Sequence, residues 1–172
     1  MQTAAECGAM IMMHAENGIA IDVLVQQALA RGDTDPRFHS YTRPSPLEAE
    51  ATHRAIVLSH VAGNVPLYVV HMSAGDALNE IAAARHNGRN VFAETCPQYL
   101  YLSIEEHLMD RPDAAQFVCS TPLRSRHEPH VDHLWRGLRI DDLAVVSTDH
   151  CPFCLNDHRR GWSDFTQIPN GI

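Results

Sequence analysis

Three residues are placed where they could do chemistry. His14 follows the apolar run Ala9-Met-Ile-Met-Met13, His71 follows Leu67-Tyr-Val-Val70, and Asp149 closes Leu143-Ala-Val-Val-Ser-Thr-Asp149. Each run reads as a short strand, and the last, rich in β-branched residues, reads as a strand covered on both faces. Neutral imidazole is a good zinc ligand, with Zn–N near ~2.0–2.1 Å, and a carboxylate completes many catalytic sites. A metal with an open position lowers the pKa of bound water to ~7. A carboxylate beside that water can take its proton. The three residues lie too far apart in sequence for any local zinc-finger spacing. A parallel sheet, however, delivers the carboxyl ends of all its strands to one rim, where α/β folds carry their chemistry.

The alternative is structural. The chain has 12 histidines, so some must fall near strand ends by chance. His39, His53, His60, His86, His107, His127, His130, His133 and His158 fall in helices or loops and read as surface or cap residues. His150 points away from its neighbour Asp149 and is not expected to be a ligand. Glu16 reads as a group that orients the loop or a ligand. Cys151-Pro-Phe-Cys154 is one isolated C-x-x-C pair, better read as loop thiols than as a redox centre or zinc clip.

The elements that must position these residues follow from periodicity. Ile21, Leu24, Val25, Ala28 and Leu29 define a helix face ending near Gly32, and residues 33–44 read as loop. Ser45-Pro-Leu-Glu48 reads as a capping box, with Ser45 as N-cap, opening a helix to about Ala62 with Leu47, Ala51, Ala55, Leu58 and Ala62 inward. A helix from about Gly75 to Gly88 packs Leu78, Ile81 and Ala82. Asn90–Glu94 is a third strand, and Ser103-Ile-Glu-Glu106 a second capping box. A short strand is possible at Gln116–Cys119. A helix from about His127 to Leu138 buries Val131, Leu134, Trp135 and Leu138. Residues 154–172 read as loop anchored by Trp162, Phe165 and Ile168. Strands alternating with helices imply a parallel sheet with right-handed crossovers.

Composition bounds the class. The 172 residues are 45% hydrophobic and 20% charged, as in a globular domain. A net charge of −8 argues against nucleic-acid or anionic-membrane partners. No apolar run is long enough to span a bilayer. The first residues lack signal-peptide character, and five scattered cysteines suit a reducing compartment, so a cytoplasmic protein with free thiols is expected.

Four segments resemble the dihydropyrimidinase/D-hydantoinase family: Met13-His-Ala-Glu-Asn-Gly18, Tyr68-Val-Val-His-Met-Ser73, Ala93-Glu-Thr-Cys-Pro-Gln-Tyr99 and Val146-Ser-Thr-Asp-His-Cys-Pro-Phe153. Ile168-Pro-Asn-Gly171 adds to the match. The resemblance implies an amidohydrolase-superfamily chain and an α/β fold that is part of a TIM-type (β/α)8 barrel, roughly strands 5 to 8 with their helices. It implies a site with two Zn²⁺, in which His14 and His71 bind one zinc while Asp149 binds the other and serves as catalytic base. The substrate would be a cyclic amide, a 5,6-dihydropyrimidine or hydantoin, opened by zinc-bound hydroxide. Backbone groups of Ser120 and Asn170 would bind that ring. A proline usually stands where this chain has Thr121.

Other family features have no counterpart in these 172 residues: the His-x-His of the first strand, the carboxylated lysine that bridges the metals, and the tyrosine after it. The expectation is a fragment of the catalytic barrel domain, inactive by itself, from a protein that forms dimers or tetramers. Two unpaired sheet edges and an open apolar face predict self-association of the isolated piece. Allantoinase and dihydroorotase share the machinery. A non-catalytic, dihydropyrimidinase-related interaction protein is the alternative of a different class, and retention of His71 and Asp149 argues against it.

Overall fold

The structure is a computed structural model that describes residues 1–158 and 161–172. In chain order the elements are α1 (Gln2–Cys7), β1 (Ile11–Met13), α2 (Gly18–Ala30), α3 (Phe38–Tyr41), α4 (Ser45–Val61), β2 (Leu67–Val69), α5 (Gly75–His86), β3 (Val91–Thr95), α6 (Pro97–Tyr101), α7 (Ile104–His107), α8 (His130–Arg139), β4 (Val145–Val146) and α9 (Leu155–His158). Turns of 3₁₀ helix occupy Ala114–Phe117 and Phe165–Gln167.

The four strands form one parallel sheet in the order β1-β2-β3-β4. Met13 pairs with Val69, Val69 with Ala93, and Thr95 with Val146. All carboxyl ends therefore share one rim, and sequential parallel strands with helical crossovers are the architecture of a partial barrel.

One face of the sheet is filled. Leu67, Val69, Val91 and Ala93 are buried in a core with Ala51 and Ala55 of α4, Ala77, Leu78 and Ile81 of α5, and Leu134 of α8. The alanines bring α4 and α5 close to the strands. Gly137 does the same for α8, since a Cβ there would sit 2.7 Å from Leu78 Cδ2. The other face is open. Met12 is 64% exposed, and the half-exposed Tyr68 and Phe92 sit beside it in register.

Several sequence expectations are corrected. Residues 33–44 contain a helical turn, α3. α1 and α6 also form where none was expected, and the stretch 154–172 read as loop carries α9 and a 3₁₀ turn at Phe165–Gln167. Pro44, not Ser45, is the N-cap of α4, and Ser45 Oγ donates to Asp76 Oδ2 at 2.5 Å. Glu48 does not close a capping box, because its carboxylate is buried and turned inward. Leu58 is exposed, since the inward face of α4 is Glu48, Ala51, Thr52, Ala55 and Ser59. Residues 114–117 form a 3₁₀ turn instead of a strand. Trp135 lies on the outer side of α8, stacked edge-on against Tyr101.

β4 keeps only two residues, both exposed, because it is an edge strand with no neighbour beyond it among the described residues. Ser103 does cap α7, accepting from Glu106 N at 3.3 Å, and Phe165 and Ile168 do anchor the tail. The side chain of His158, and the expected loop at residues 159 and 160, lie outside the described residues.

His39 and His130 are not surface residues either. Both are buried, His39 Nε2 against the Cys119 carbonyl at 2.9 Å and His130 Nδ1 accepting from Gly75 N at 3.2 Å. Burial, aided by the positive charge of Arg43, drives the His39 pKa from 6.5 down to about 3. The folded state therefore refuses a proton that the unfolded chain accepts. The stability held by neutral His39 is complete above about 6.5 and is lost as pH falls toward about 3. His39→Gln, which keeps a donor for the Cys119 carbonyl, is expected to flatten the acid side of the stability–pH curve. Parallel curves for the two proteins in urea unfolding would contradict this.

Candidate active site

β1 and β2 are adjacent, so the residues just past their ends meet. His14 Nδ1 lies 3.1 Å from His71 Nε2. The other nitrogen of His14, Nε2, is 3.0 Å from Glu16 Oε2, and the Glu16 side chain is almost buried. A carboxylate on Nε2 holds the ring proton there and leaves the Nδ1 lone pair facing His71. Two imidazole nitrogens bound tetrahedrally to one zinc at ~2.0–2.1 Å stand about 3.3 Å apart. The donor pair therefore fits one edge of such a site. His71 is buried, sits at a left-handed φ of +41°, and has a buried Nδ1 with no hydrogen-bond partner among the described residues.

Asp149 comes from the far edge. Ser147 N donates to the Thr95 carbonyl at 3.0 Å and Ser147 Oγ lies 3.3 Å from Cys96 Sγ, which fixes the chain two residues earlier. Asp149 itself is exposed at φ +46°. Among the described residues no cluster of three or more His, Cys, Asp or Glu side chains is poised to hold a metal. The structure thus pairs His14 with His71 and leaves Asp149 apart. The reason is geometric, since β1 and β4 are opposite edges of a sheet whose strands step by ~4.8 Å.

Ser120 and Asn170 reach the same rim by a different route. Gly171 N donates to the Val118 carbonyl at 2.9 Å, which lays the tail beside the segment leading to Ser120. Among the described residues, no hydrogen bond engages the backbone of Ser120 or of Asn170. His150 Nδ1 lies 2.9 Å from the Ile172 carbonyl, so its ring serves the tail and not a metal. The tail packs so tightly that a Cβ on Gly171 would lie 2.2 Å from the Cys151 carbonyl oxygen. Gly171→Ala is expected to cost ~1–3 kcal/mol by overpacking. It should also move Asn170, so a lower Tm with a higher KM is expected, and an unchanged pair would contradict the packing.

The buried thiols near this rim are inert. Burial raises the pKa of Cys96 to about 11 and that of Cys119 to about 12, so neither supplies a thiolate at neutral pH. Cys151 and Cys154 are free and exposed. Burial and a 2.7 Å hydrogen bond to Glu94 Oε2 raise the Tyr68 phenol, which stays protonated.

The loop after β2 is held by Glu48, which the sequence reading took for a capping residue, and by Arg124, to which it gave no role. Glu48 Oε1 accepts from Ser73 N at 2.9 Å and Ala74 N at 3.2 Å, and Oε2 accepts from Ser73 Oγ at 2.7 Å and Arg124 Nη2 at 2.6 Å. Arg124 Nε also donates to Ser73 Oγ at 3.0 Å. One available signal was helix phase, because Glu48 shares the i, i+3, i+4, i+7 face of α4 with Ala51, Thr52 and Ala55.

Comparison with known proteins supplies a second line. No family model matches the chain. The D-hydantoinase of Streptomyces coelicolor is 61% identical over all of this chain, which spans 36% of that protein. The D-hydantoinase of Geobacillus stearothermophilus is 46% identical over 98% of the chain, which spans 35% of that protein. The crystal structure of dihydropyrimidinase from Brevibacillus agri superposes on 99% of the chain with a TM-score of 0.92 at 48% identity, again across 36% of its length. The chain thus spans about a third of the length of these relatives. Among the described residues no helix is long and apolar enough to cross a membrane.

Proposed function

Because this chain belongs to the D-hydantoinase/dihydropyrimidinase family, we propose that the complete protein opens a cyclic amide ring by hydrolysis, with these 172 residues forming part of its catalytic barrel. The observation that carries the reading is the His14–His71 nitrogen pair at 3.1 Å, with Glu16 fixing the His14 ring. Zinc is the metal proposed, with His14 Nδ1 and His71 Nε2 as two of its ligands. When bound it supplies Lewis-acid polarisation of the amide carbonyl and acidifies water.

The chain's own residues do the rest. The free backbone groups of Ser120 and Asn170 receive the polar edge of the ring and orient its carbonyl. Asp149 takes a proton from the attacking water and returns it to the ring nitrogen as the C–N bond breaks. Water adds across that bond, its hydroxyl to the carbonyl carbon and its proton to nitrogen, and the carboxylic acid formed ionises by losing its remaining proton to solvent. Asp149 lies exposed just past the end of the edge strand, where its carboxylate can face a substrate lying on the rim.

The test is ring opening by the complete protein, followed as loss of ring absorbance with hydantoin and 5,6-dihydrouracil, with allantoin and dihydroorotate as competitors. The reading expects turnover of the first two above the second two. Failure to open any of these rings in metal-loaded protein would sink it.

A further inference from the structure

His71 holds its place through its backbone. A φ of +41° is a conformation that a non-glycine residue keeps only when its surroundings hold it there. Its N–H donates to Glu94 Oε1 at 3.3 Å, and its carbonyl accepts from Thr121 Oγ1 at 2.9 Å. The ring nitrogen Nδ1 has no partner among the described residues, so that side of the imidazole gives no grip on its orientation. The stronger of the two backbone grips is the one from Thr121.

Thr121 is itself immobilised. It is 2% exposed, and its own carbonyl accepts from the hydroxyl of buried Tyr99 at 2.9 Å. The residue before it is Ser120, the proposed backbone contact to the ring. One buried side chain thus joins the His71 peptide to the peptide of Ser120. We infer that Thr121 is a positioning residue, whose hydroxyl fixes the carbonyl of His71 and so sets the geometry between the His71 imidazole and the Ser120 backbone. The inference rests on the reading of His71 as a metal ligand. It is particular to this chain, since the proline that the resemblance leads one to expect here has no hydroxyl. It concerns the hydroxyl alone, because valine has nearly the same shape but would leave the buried His71 carbonyl unpaired.

The test uses the complete protein as wild type, Thr121→Val, Thr121→Ser and His71→Ala. Zinc affinity of the metal-free protein is measured by competition with a chromophoric chelator. The imidazole ¹⁵N–¹H signals of His71 are recorded without metal. Thr121→Val is expected to weaken zinc binding by ~10-fold or more, the usual scale for a group that orients a ligand. It should also shift the His71 ring signals, while Thr121→Ser restores both.

Should Thr121→Val fail to fold, Thr121→Ala removes the same hydroxyl and carries the same expectation. Wild-type affinity with unmoved His71 signals in a folded hydroxyl-free variant overturns the inference. His71→Ala separates the two levels. If it retains zinc at wild-type affinity, the functional reading fails and takes the inference with it. If it loses zinc while Thr121→Val does not, the inference alone fails.

Discussion

Asp149→Asn in the complete protein is expected to lower kcat by ~10²–10⁴-fold, the range general acid–base catalysis supplies. Asparagine is the appropriate replacement. It keeps the shape of the side chain, and it tolerates the left-handed backbone that Asp149 adopts at φ +46°. Because the side chain is exposed, removing its charge should leave the fold intact. Circular dichroism and Tm should therefore match wild type while turnover collapses. Activity within a few-fold of wild type would assign the proton transfer to another group. A matching fall in Tm would mean that the residue acts through the fold.

The largest effect on stability is expected at Glu48. Its carboxylate accepts four hydrogen bonds, two from backbone N–H groups, and forms an ion pair with Arg124 in which both side chains are nearly inaccessible. Glu48→Ala would leave the Arg124 charge buried without its partner, together with the N–H groups of Ser73 and Ala74. Removing one member of such a pair costs ~3–5 kcal/mol, far more than an exposed pair contributes. For a domain of this size that corresponds to a fall in Tm on the order of 10 °C. Glu48→Gln keeps the acceptor for Ser73 and should lose less. Thermal unfolding of both variants measures the difference, and a Glu48→Ala protein within ~1 kcal/mol of wild type would contradict the burial argument.

The contrast between Glu48 and the histidines shows what was legible in the sequence. His14 and His71 could be placed because each follows an apolar run, and parallel strands put such positions on one rim whatever lies between them. Their pairing needed only that β1 and β2 be neighbours. Glu48 was hidden because Ser-Pro-Leu-Glu satisfies a capping rule locally, whereas its real partners, Ser73, Ala74 and Arg124, are distant in sequence. The same holds for His39 and His130, whose partners are a carbonyl and an N–H on other segments.

β4 misled in the opposite direction. Leu143 to Val146 has the composition of a strand covered on both faces. Here Leu143 is buried, but Val145 and Val146 lie exposed at the edge of the sheet. Composition cannot say which flank has a neighbour. Asp149 shares that limit, because the strand end was readable while its separation from the histidine pair depends on how far the sheet closes. Thr121 stood out in the sequence only as a departure from the proline usual there, and its role came into view only when its hydroxyl was seen against the carbonyl of His71.

The central claim is that His14 and His71 together hold a catalytic metal. Metal stoichiometry of the purified complete protein, read by plasma mass spectrometry for wild type and for His14→Ala, tests it most directly. The account predicts bound zinc in the wild type and a loss of about one ion per chain when His14 is removed, as expected for a site stripped of one of its few protein ligands. Equal zinc content in the two proteins, or a wild type that carries none, would contradict it.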